Sequence, residues 1–517
     1  MSETPKMMDL LLTPHSVLSL KDSSPEDNSL SEFFDSRLKT SYDYDDSPPE
    51  REAKEQVFQE LKSIIDKWLS ATATASSTTP SGQFLVFGSF RMQVNHKESD
   101  LDTICIVPNF VDRDKNFFGE LFESLKTHGK VTDIYVISDA MVPLIKLKFA
   151  TIPIDILFAR MEVPSIPSDL DFLNNDEQLI KNIEEKSYKG LNGIRTAETI
   201  NRSVKNLQEF RLFLKLIKLW AKNKLIYSSV MGYLGGISWA ILASKICQLY
   251  PNYSAAKLLE RFFFIYSLWI WEEMPVLLEP LKTTPEIAPN PKLLQFQWDE
   301  KGEKTEMSII TPAFPCMNSS HTVSITSSQI IRNSFRKGYK TIKAIRNKQK
   351  EWDSLFEKVK FFEKFPFFLE ISIVAKADQG DFLVWRGHYE SRLRKFIRIL
   401  ENLKYHKFMT FQLNPNGFER KDEEFPFCYS YYVGMKISED NTNQAKLLGL
   451  KEIDLDSAVR TFLDTVVQSH SIIPEHLNTK VRIVGKGDLD QGIVSGNKLK
   501  ETKKEVKTLM LKDKIRI

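Results

Sequence analysis

The hydrophobic pattern of the chain is clearest between residues 83 and about 160, where short apolar runs are separated by turn residues. The run Phe84–Phe87 ends at a Gly-Ser pair, which is typical of a strand that turns tightly into a helix. Two further runs, LDTICIVP from Leu101 and IPIDILFA from Ile152, are rich in β-branched and apolar residues, as buried strands are. We therefore predict a mixed α/β unit over residues 83–160.

Helical periodicity flanks this unit on both sides. Residues 51–70 place apolar side chains on one side of a predicted helix: Val57, Leu61, Ile64, Ile65 and Trp68. The low-complexity segment ATATASSTTPSG, residues 71–82, is predicted to be a loop that leads into the first strand. A domain boundary is predicted at Val163–Pro167, and residues 170 to about 345 are predicted to be mostly helical.

The two ends of the chain have different patterns. After about residue 345, the runs FPFFLEISIVAKAD, ESRLRKFIRILENL and FPFCYSYYVGMKI predict a strand, a helix and a strand, and therefore a smaller α/β domain. The first fifty residues mix a short apolar segment with an acidic stretch that contains Ser and Pro, Asp43–Pro49. Part of this segment is predicted to be a loose tail or linker.

Composition narrows the class of protein. The chain has 517 residues, 42% hydrophobic and 27% charged, which allows two to four domains and is typical of a globular protein. Its formal net charge of +3 means that nucleic-acid binding would have to come from local patches. The four cysteines lie far apart without zinc-ligand spacing, which argues against a zinc site and favours a reducing compartment. Because no apolar run reaches membrane-spanning length and no signal-peptide core is present, an intracellular, soluble protein is expected.

Three carboxylates stand in or beside the predicted strands. Asp100 and Asp102 are two residues apart, so on an extended strand both side chains leave the same face. Asp155 lies inside a second apolar run, where a lone carboxylate is costly unless it is paired or binds a metal. Together the three could hold two hard divalent cations, Mg²⁺ or Mn²⁺, in a polymerase-type site. Any one of them alone is better explained as a turn cap or as the partner of a lysine.

The Gly88-Ser89 pair is a candidate phosphate site. The backbone N–H groups of this turn and the Ser89 hydroxyl could cradle a triphosphate, and Arg91 adds positive charge. A Gly-Ser pair by itself is usually just a turn, so its interpretation depends on the aspartates that follow at this spacing.

A predicted helix over Leu207–Lys224 carries four cations at helical spacing along one face: Arg211, Lys215, Lys218 and Lys222. Arg211 and Lys215 are predicted to belong to an ordinary solvated face. Lys218 and Lys222 are better candidates for contacts to a triphosphate because Tyr227, whose hydroxyl can donate to a phosphate oxygen, follows them.

These motifs resemble a known family. The pattern FGSFR, eight residues and DLD, with the later IDILFAR, is similar to the nucleotidyltransferase superfamily that includes DNA polymerase beta. More narrowly, SYKGLNGIR, IKLWAKNKLIYSSVMGYLGGISWAILASKICQLYPN and IITPAFPCMNSSHTVS resemble the eukaryotic nuclear-type poly(A) polymerases. The resemblance extends from about Thr13 to about residue 475.

The resemblance implies an α+β fold with a polymerase-beta-like nucleotidyltransferase domain, a helical middle domain and a C-terminal RNA-recognition-like α/β domain. It divides the chain into an N-terminal segment, partly flexible and packing on the middle domain (1–50), a catalytic domain (51–165), a helical nucleotide-binding domain (166–345), an RNA-binding domain (346–480) and a basic tail (481–517). The tail could contact RNA or act as a nuclear import sequence, or it is only a solvated end.

The resemblance also implies which residues contact ATP: Phe87, Gly88, Ser89, Lys146, Asn192, Lys218, Lys222, Tyr227, Gly236, Ile237, Thr311 and Met317. Without it, Lys146 would be read as a surface strand lysine and Asn192-Gly193 as a simple turn. Ile237 would be read as an ordinary core residue and Met317 as a flexible packing residue.

The sequence departs from the family pattern at two positions. Gln93 stands where relatives usually have glycine, which bears on the geometry of the triphosphate loop. Ser229 stands where relatives usually have an asparagine that contributes to adenine recognition, which bears on the strictness of ATP selection.

The implied function is template-independent poly(A) polymerase activity: AMP from ATP is added to the 3′-hydroxyl of RNA with release of pyrophosphate, with two Mg²⁺ or Mn²⁺ ions. The implied protein is a nuclear monomer that does not bind membranes, and its implied partners are the RNA 3′ end, ATP and the mRNA cleavage and polyadenylation factors. One alternative is a terminal nucleotidyltransferase of another base preference, such as uridylyl or CCA addition. The other is a catalytically silent RNA-binding scaffold, although none of the three aspartates is missing.

Overall fold

The computed structural model describes residues 9–138, 142–172, 182–281, 298–299, 305–403, 409–420, 422, 424–437, 452–453, 455–468, 476–489 and 515–516. The chain divides into two compact units, Met1–Leu219 with Gly236–His321, and Trp220–Gly235 with Thr322–Ile517. This division cuts through the predicted middle domain, so the five-part division of the sequence stays a prediction. The Lys-rich part of the predicted basic tail lies outside the described residues.

The first unit is built on a five-stranded mixed sheet. Its strands are β1 Gln83–Val86, β2 Leu101–Val107, β3 Val131–Ile137, β4 Leu144–Phe149 and β5 Ile152–Arg160. The strand order is β1-β2-β5-β4-β3, in which β2 and β5 are parallel and every other neighbouring pair is antiparallel. The two runs that the sequence predicts as buried strands are therefore the parallel pair inside the sheet, where β2 is almost entirely buried.

The first unit also contains helices. Those that begin in the first unit are α1 Pro25–Lys39, α2 Pro48–Ala75, α3 Gly88–Arg91, the wider π-type helix α4 Arg113–Leu121, α5 Phe122–Lys126, α6 Glu185–Ser203, α7 Leu207–Asn223, α8 Gly236–Leu249 and α9 Ala255–Leu268. Within the described residues, none of the helices combines the length and the apolar character that a membrane span requires. All four cysteines are buried and free of disulfides.

Helix α2 is longer than predicted at both ends. Ser47 forms a capping box with Glu50, which begins the helix before residue 51, and the helix continues to Ala75. The first part of the predicted 71–82 loop is therefore helical. The predicted apolar face packs against the sheet, since Leu61 and Ile65 are fully buried.

The acidic stretch near the N terminus is not a loose linker at Asp46. This carboxylate is buried and accepts hydrogen bonds from Lys54 Nζ at 2.7 Å and from Asn95 Nδ2 at 2.6 Å. Helix α1, in the same predicted segment, buries Phe34 and Leu38. Acidic composition suggested disorder, but here the charge is compensated by a buried lysine from α2.

The second unit contains an antiparallel sheet in the order β11-β6-β9-β7, with β8 paired to β9. Its strands are β6 Phe367–Ala375, β7 Met409–Leu413, β8 Phe418–Glu419, β9 Phe427–Ile437, β10 Glu452–Ile453, β11 Leu477–Gly485 and β12 Ile515–Arg516. Its helices are α10 Ile325–Arg346, α11 Asp353–Phe356, α12 Phe361–Lys364, α13 Gln379–Glu401 and α14 Asp456–Gln468. Apart from β8, this sheet is formed in the chain order β6, α13, β7, β9, α14 and β11, that is strand, helix, strand, strand, helix and strand, which is the topology of RNA-recognition folds. The predicted C-terminal α/β domain is thereby confirmed.

Candidate active site

The pairing of β2 with β5 brings two of the three predicted aspartates together. The parallel register places Asp102 directly opposite Asp155. Asp100 lies one residue before β2 and is close enough for its charge to act on both of the others. Residues more than fifty positions apart in the sequence therefore form one carboxylate cluster.

Lys146 compensates part of this negative charge. Strand β4 pairs with β5 so that Lys146 lies opposite Asp155, and its Nζ donates to Asp155 Oδ1 at 2.6 Å and to Oδ2 at 2.7 Å. The same Nζ lies 3.9 Å from Asp100 Oδ2. The alternative reading of Lys146 as a surface strand lysine is wrong, because its ammonium group lies among the carboxylates.

The cluster carries more negative charge than one lysine can offset. Burial, together with the charges of Asp155 and Asp100, raises the pKa of Asp102 from 3.8 to about 7, although Lys146 and Lys218 oppose this change. Burial also raises the pKa of Asp155.

No group of three or more His, Cys, Asp or Glu side chains in the described part of the chain is arranged to hold a metal, and both oxygens of Asp155 are bonded to Lys146 instead. The excess of carboxylate oxygens nevertheless fits a hard cation.

The Gly-Ser turn lies directly against the cluster. Strand β1 ends at Val86, Phe87 N donates to Asp102 O at 3.0 Å, and the one-turn helix α3 follows. Gly88 has a φ of +61°, and a Cβ there would lie 2.2 Å from Asp102 Oδ2. Glycine is required on both counts, because a side chain would be strained and would displace the carboxylate. The predicted strand, turn and helix are confirmed.

Two cations of helix α7 hold the turn that follows α3. Arg211 Nε donates to Met92 O at 3.1 Å, and Lys218 Nζ donates to Val94 O at 2.8 Å. Lys215 Nζ lies 2.8 Å from a carboxylate oxygen of Asp45. The prediction that Arg211 and Lys215 form an ordinary solvated face is therefore wrong. Lys218 is only 3% exposed, and its charge reaches Asp102.

Gln93, at the tip of this turn, has a φ of +58°. That is the left-handed region, which glycine adopts at no steric cost. The structure therefore gives a physical reason for glycine at this position.

Gln93→Gly is expected to raise the free energy of unfolding by about 0.5–1 kcal/mol, because relief of left-handed strain outweighs the added freedom of the unfolded chain. Denaturant unfolding measures the change. Gln93→Ala is the matched control, since alanine keeps the Cβ and should bring no gain. A larger loss in the glycine variant than in the alanine variant would contradict this account of the turn.

Asn192 lies inside helix α6 rather than in a turn, so the alternative reading of Asn192-Gly193 as a simple turn is wrong. A Cβ on Gly193 would lie 3.4 Å from the ring of Phe87, so α6 packs closely against the residue before the Gly-Ser turn. Asn192 is 3% exposed, and its Oδ1 has no hydrogen-bond partner among the described residues. A buried amide oxygen without a partner is a ready acceptor for a ligand hydroxyl.

Four other predicted ATP contacts form a separate group within the first unit. Gly236 and Ile237 begin helix α8, and the next residue, Ser238, has its hydroxyl 2.9 Å from that of Ser319. Thr311 N donates to Met317 O at 2.9 Å, and Met317 N donates to Thr311 Oγ1 at 2.9 Å. Among the described residues, none of these four is given a contact with Asp100, Asp102 or Asp155.

The remaining candidates, Lys222 and Tyr227, belong to the second unit. Lys222 Nζ lies 5.5 Å from the centroid of the Tyr227 ring, a cation–π contact. In the same unit, a Cβ on Gly235 would lie 3.1 Å from the Cβ of Ser229. Ser229, which stands where relatives usually have asparagine, therefore packs tightly against a glycine.

Two residues near the site gave no signal in the sequence analysis. Glu198 on α6 accepts a hydrogen bond from Arg91 Nε at 2.6 Å, so the cation expected to face a triphosphate is paired here with a carboxylate. Lys54 on α2 donates to the carbonyl of Lys97 at 3.1 Å, beyond the turn. Helical spacing places Lys54 on the same face of α2 as Val57 and Leu61, but only tertiary packing gives its charge these partners.

The mixed sheet, the glycine-dependent turn and the carboxylates on its parallel strands define the first unit as a nucleotidyltransferase fold. Three family models match the chain: the poly(A) polymerase nucleotidyltransferase domain at residues 15–204, the central domain at 209–358 and the predicted RNA binding domain at 360–424.

Curated relatives agree with these matches. A poly(A) polymerase of Dictyostelium discoideum is 34% identical over 464 residues, 87% of this chain and 55% of its own. Nuclear poly(A) polymerase 1 of Arabidopsis thaliana is 34% identical over 402 residues, 76% of this chain and 54% of its own. Poly(A) polymerase PAPa of Candida albicans is 33% identical over 392 residues, 74% of this chain and 69% of its own. The chain belongs to the poly(A) polymerase family, as its motifs predict, and it spans about half the length of the first two relatives.

Proposed function

We propose that this protein is a template-independent polynucleotide adenylyltransferase that adds AMP from ATP to the 3′-hydroxyl of RNA and releases pyrophosphate. The observation that carries the proposal is the register of β2 and β5, which sets Asp102 opposite Asp155 beside the Gly88 turn. A cluster of three carboxylates, two of them partly buried, next to a glycine turn has no evident structural use, because it costs folding free energy.

Asp100, Asp102 and Asp155 would hold divalent cations, which we propose to be two Mg²⁺ or Mn²⁺ ions. When bound, such ions supply Lewis acidity and neutralise charge that develops on phosphate oxygens. Lys146 would release Asp155 when the carboxylates take up a cation, since both oxygens of Asp155 are bonded to Lys146 here. Its ammonium group would then be free to bind a nucleotide phosphate.

The other nucleotide contacts are proposed from the geometry of the site or from the family resemblance. Asn192 Oδ1 is a buried acceptor without a partner among the described residues, and we propose that it accepts from a ribose hydroxyl. Amides of the turn at Gly88 and Ser89, next to Phe87, would bind the triphosphate. The remaining contacts are proposed from the family resemblance: Lys218, Lys222, Tyr227, Gly236, Ile237, Thr311 and Met317.

We also propose a nuclear protein that works as a monomer on RNA 3′ ends together with mRNA cleavage and polyadenylation factors. The name of the Arabidopsis relative, a nuclear poly(A) polymerase, supports the compartment. The match of residues 360–424 to a family RNA binding domain supports RNA as the substrate.

Primer extension on a short oligo(A) RNA with each of the four nucleoside triphosphates tests the proposal. We expect long products from ATP in Mg²⁺ or Mn²⁺, and stricter rejection of the other nucleotides by Ser229→Asn. One buried hydrogen bond is worth about 0.5–1.5 kcal/mol, so the asparagine should improve selectivity by about 2–13-fold. Measurement of kcat/KM for ATP and for UTP in both proteins gives this ratio.

Other outcomes lead to the alternatives. Equal extension with UTP would keep nucleotidyl transfer and overturn the assignment of adenine. RNA binding without incorporation of any nucleotide in either metal would support the scaffold alternative and contradict the proposed function.

A further inference from the structure

The sheet of the second unit does not offer the face on which RNA-recognition folds usually stack bases. Helices α13 and α14 lie on the other side, and this face is filled by an aromatic cluster from the same unit: Phe361, Phe362, Phe365, Phe368, Phe418 and Tyr432. The Phe362 ring lies 5.4 Å from that of Phe368 and 5.2 Å from that of Tyr432. Bases cannot reach the sheet there without displacing this cluster.

The charged groups on the same face are also engaged with one another. Glu370 is 1% exposed and pairs with Arg420 and with Arg482, whose Nε lies 2.6 Å from Glu370 Oε2. Lys480 Nζ lies 3.4 Å from an oxygen of Asp422. Arg420, Arg482 and Lys480 therefore neutralise carboxylates of the chain itself, so these three cations are already engaged.

A different surface of the unit has an excess of positive charge. Residues 321–350 contain eight Lys and Arg residues and no Asp or Glu, in a chain whose net charge is only +3. Most of this segment is helix α10, whose inner side is buried: Ile331, Phe335, Gly338, Ile342 and Ile345. Its cations therefore concentrate on the outer side.

We call the outer side of this helix the α10 basic face; its residues are Arg332, Arg336, Lys340 and Lys343. They follow at spacings of four, four and three residues, which places them in one row along the helix. The row is about 16 Å long, enough to face several successive phosphates. Arg336, Lys340 and Lys343 are exposed to solvent.

A second set of lysines crowds beside this row. Burial lowers the pKa of Lys224; the charge of Glu357 opposes this change, and the charges of Lys337 and Lys350 add to it. Burial, with the charges of Lys337 and Lys436, lowers the pKa of Lys364 to about 8. A cation that lowers the pKa of a buried lysine must lie close to it, so positive charge is concentrated around Lys224 and Lys364.

The partners of these lysines are mostly uncharged. Lys224 Nζ donates to the carbonyl of Glu357 at 2.7 Å, and Lys364 Nζ donates to Gln412 Oε1 at 2.5 Å. Among the carboxylates that the structure describes, none lies within salt-bridge distance of Lys337, Lys340 or Lys343. The charges of Lys337, Lys340 and Lys343 are therefore available to an outside anion.

Aromatic rings lie among these cations. Lys343 Nζ is 5.7 Å from the centroid of Tyr339, and the guanidinium carbon of Arg346 is 5.4 Å from that of Trp352. Alternating cations and aromatic rings are typical of surfaces that bind single-stranded nucleic acid, because the rings stack on bases while the cations face the backbone.

We infer that the α10 basic face, with the lysines beside it, is a docking track for the phosphate backbone of single-stranded RNA. The inference rests on the proposed function, since it assigns a second RNA contact, away from the filled sheet face, to a protein that extends RNA. Such a track holds the body of the RNA without reading its sequence, because phosphate contacts carry no base information.

The test compares two triple variants of the full chain that lose equal charge. The track variant is Arg336→Gln, Lys340→Gln and Lys343→Gln. The control variant is Lys67→Gln, Lys115→Gln and Lys126→Gln, three exposed lysines of the first unit. The equilibrium affinity for a long oligo(A) is measured between about 50 and 200 mM salt.

Loss of three phosphate contacts should make the plot of log affinity against log salt shallower by about 2, with affinity at low salt falling about tenfold or more. The control variant should keep the slope of the unchanged protein. Equal slopes in all three proteins, each with an unchanged melting temperature, would overturn the inference.

An acidic protein is the other partner that such a surface could bind. If the track variant loses affinity for polyglutamate but keeps its affinity for oligo(A), the RNA track is overturned. Binding is measured without catalysis, so the inference can fail while primer extension succeeds, and the proposed function can fail while the track binds RNA.

Discussion

Asp102→Asn is expected to lower AMP incorporation by about a thousandfold or more while the protein stays folded. Asp102 is a partly buried member of the carboxylate cluster and lies between the Gly88 turn and Asp155. Asparagine keeps its shape but cannot supply the charge that holds a divalent cation. Single-turnover primer extension measures the effect, and Asp66→Asn on α2, an exposed carboxylate, is the control of equal charge change.

The same variant should change the pH dependence of stability in the absence of metal. The pKa of Asp102 is about 7 in the folded protein against an ordinary value of 3.8, so the folded state binds this proton more tightly than the unfolded state does. Stability should therefore fall as pH rises from about 4 to about 7, by on the order of 2–4 kcal/mol, and then level off. Burial disfavours the Lys146 ammonium, but Asp155 outweighs burial and raises its pKa, so it stays charged throughout this range.

Thermal melting with a chelator across this pH range checks the result. Asp102→Asn should remove most of the slope and should be the more stable protein at neutral pH. Undiminished incorporation by this variant, or an unchanged slope, would show that Asp102 does not have the role given to it.

Lys54→Met is expected to lower the free energy of unfolding by about 3–5 kcal/mol. The Lys54 side chain is 6% exposed and that of Asp46 is 2% exposed, with 2.7 Å between Nζ and Oδ1. Lys54 also donates to the carbonyls of His96 at 3.4 Å and Lys97 at 3.1 Å. Its loss would leave Asp46 as a buried charge without its cation and would release the segment between the Gly-Ser turn and Asp100.

Denaturant unfolding measures this loss. The double variant Lys54→Met with Asp46→Leu should recover much of it, because two apolar side chains can replace a buried ion pair at little cost. Lys62→Met, which breaks an exposed pair with Asp66, is the control and should change stability by less than about 0.5 kcal/mol. A Lys54 variant as stable as this control would contradict the importance of the buried pair.

Local pattern was enough to predict much of the chain. Apolar runs predicted β2 and β5, helical spacing predicted α2 and α7, and the Gly-Ser pair predicted the tight turn into α3. Motif spacing also identified the poly(A) polymerase family. These features depend on residues close together in the sequence, and backbone geometry translates such spacing directly into a strand, a helix or a turn.

Only the tertiary structure decided which side chains pair with each other. The bonds of Lys146 to Asp155, of Lys218 to the Val94 carbonyl and of Lys54 to Asp46 depend on how strands and helices pack. The aromatic cluster that fills the sheet face of the second unit also depends on tertiary packing, because its residues are separated along the chain by other elements. A periodic pattern tells whether a residue faces inward, but a charged group that faces inward takes whichever partner packing brings within about 3 Å. Sequence by itself therefore determined the elements and the family of this protein, and tertiary packing determined where its charges are neutralised and where they remain available.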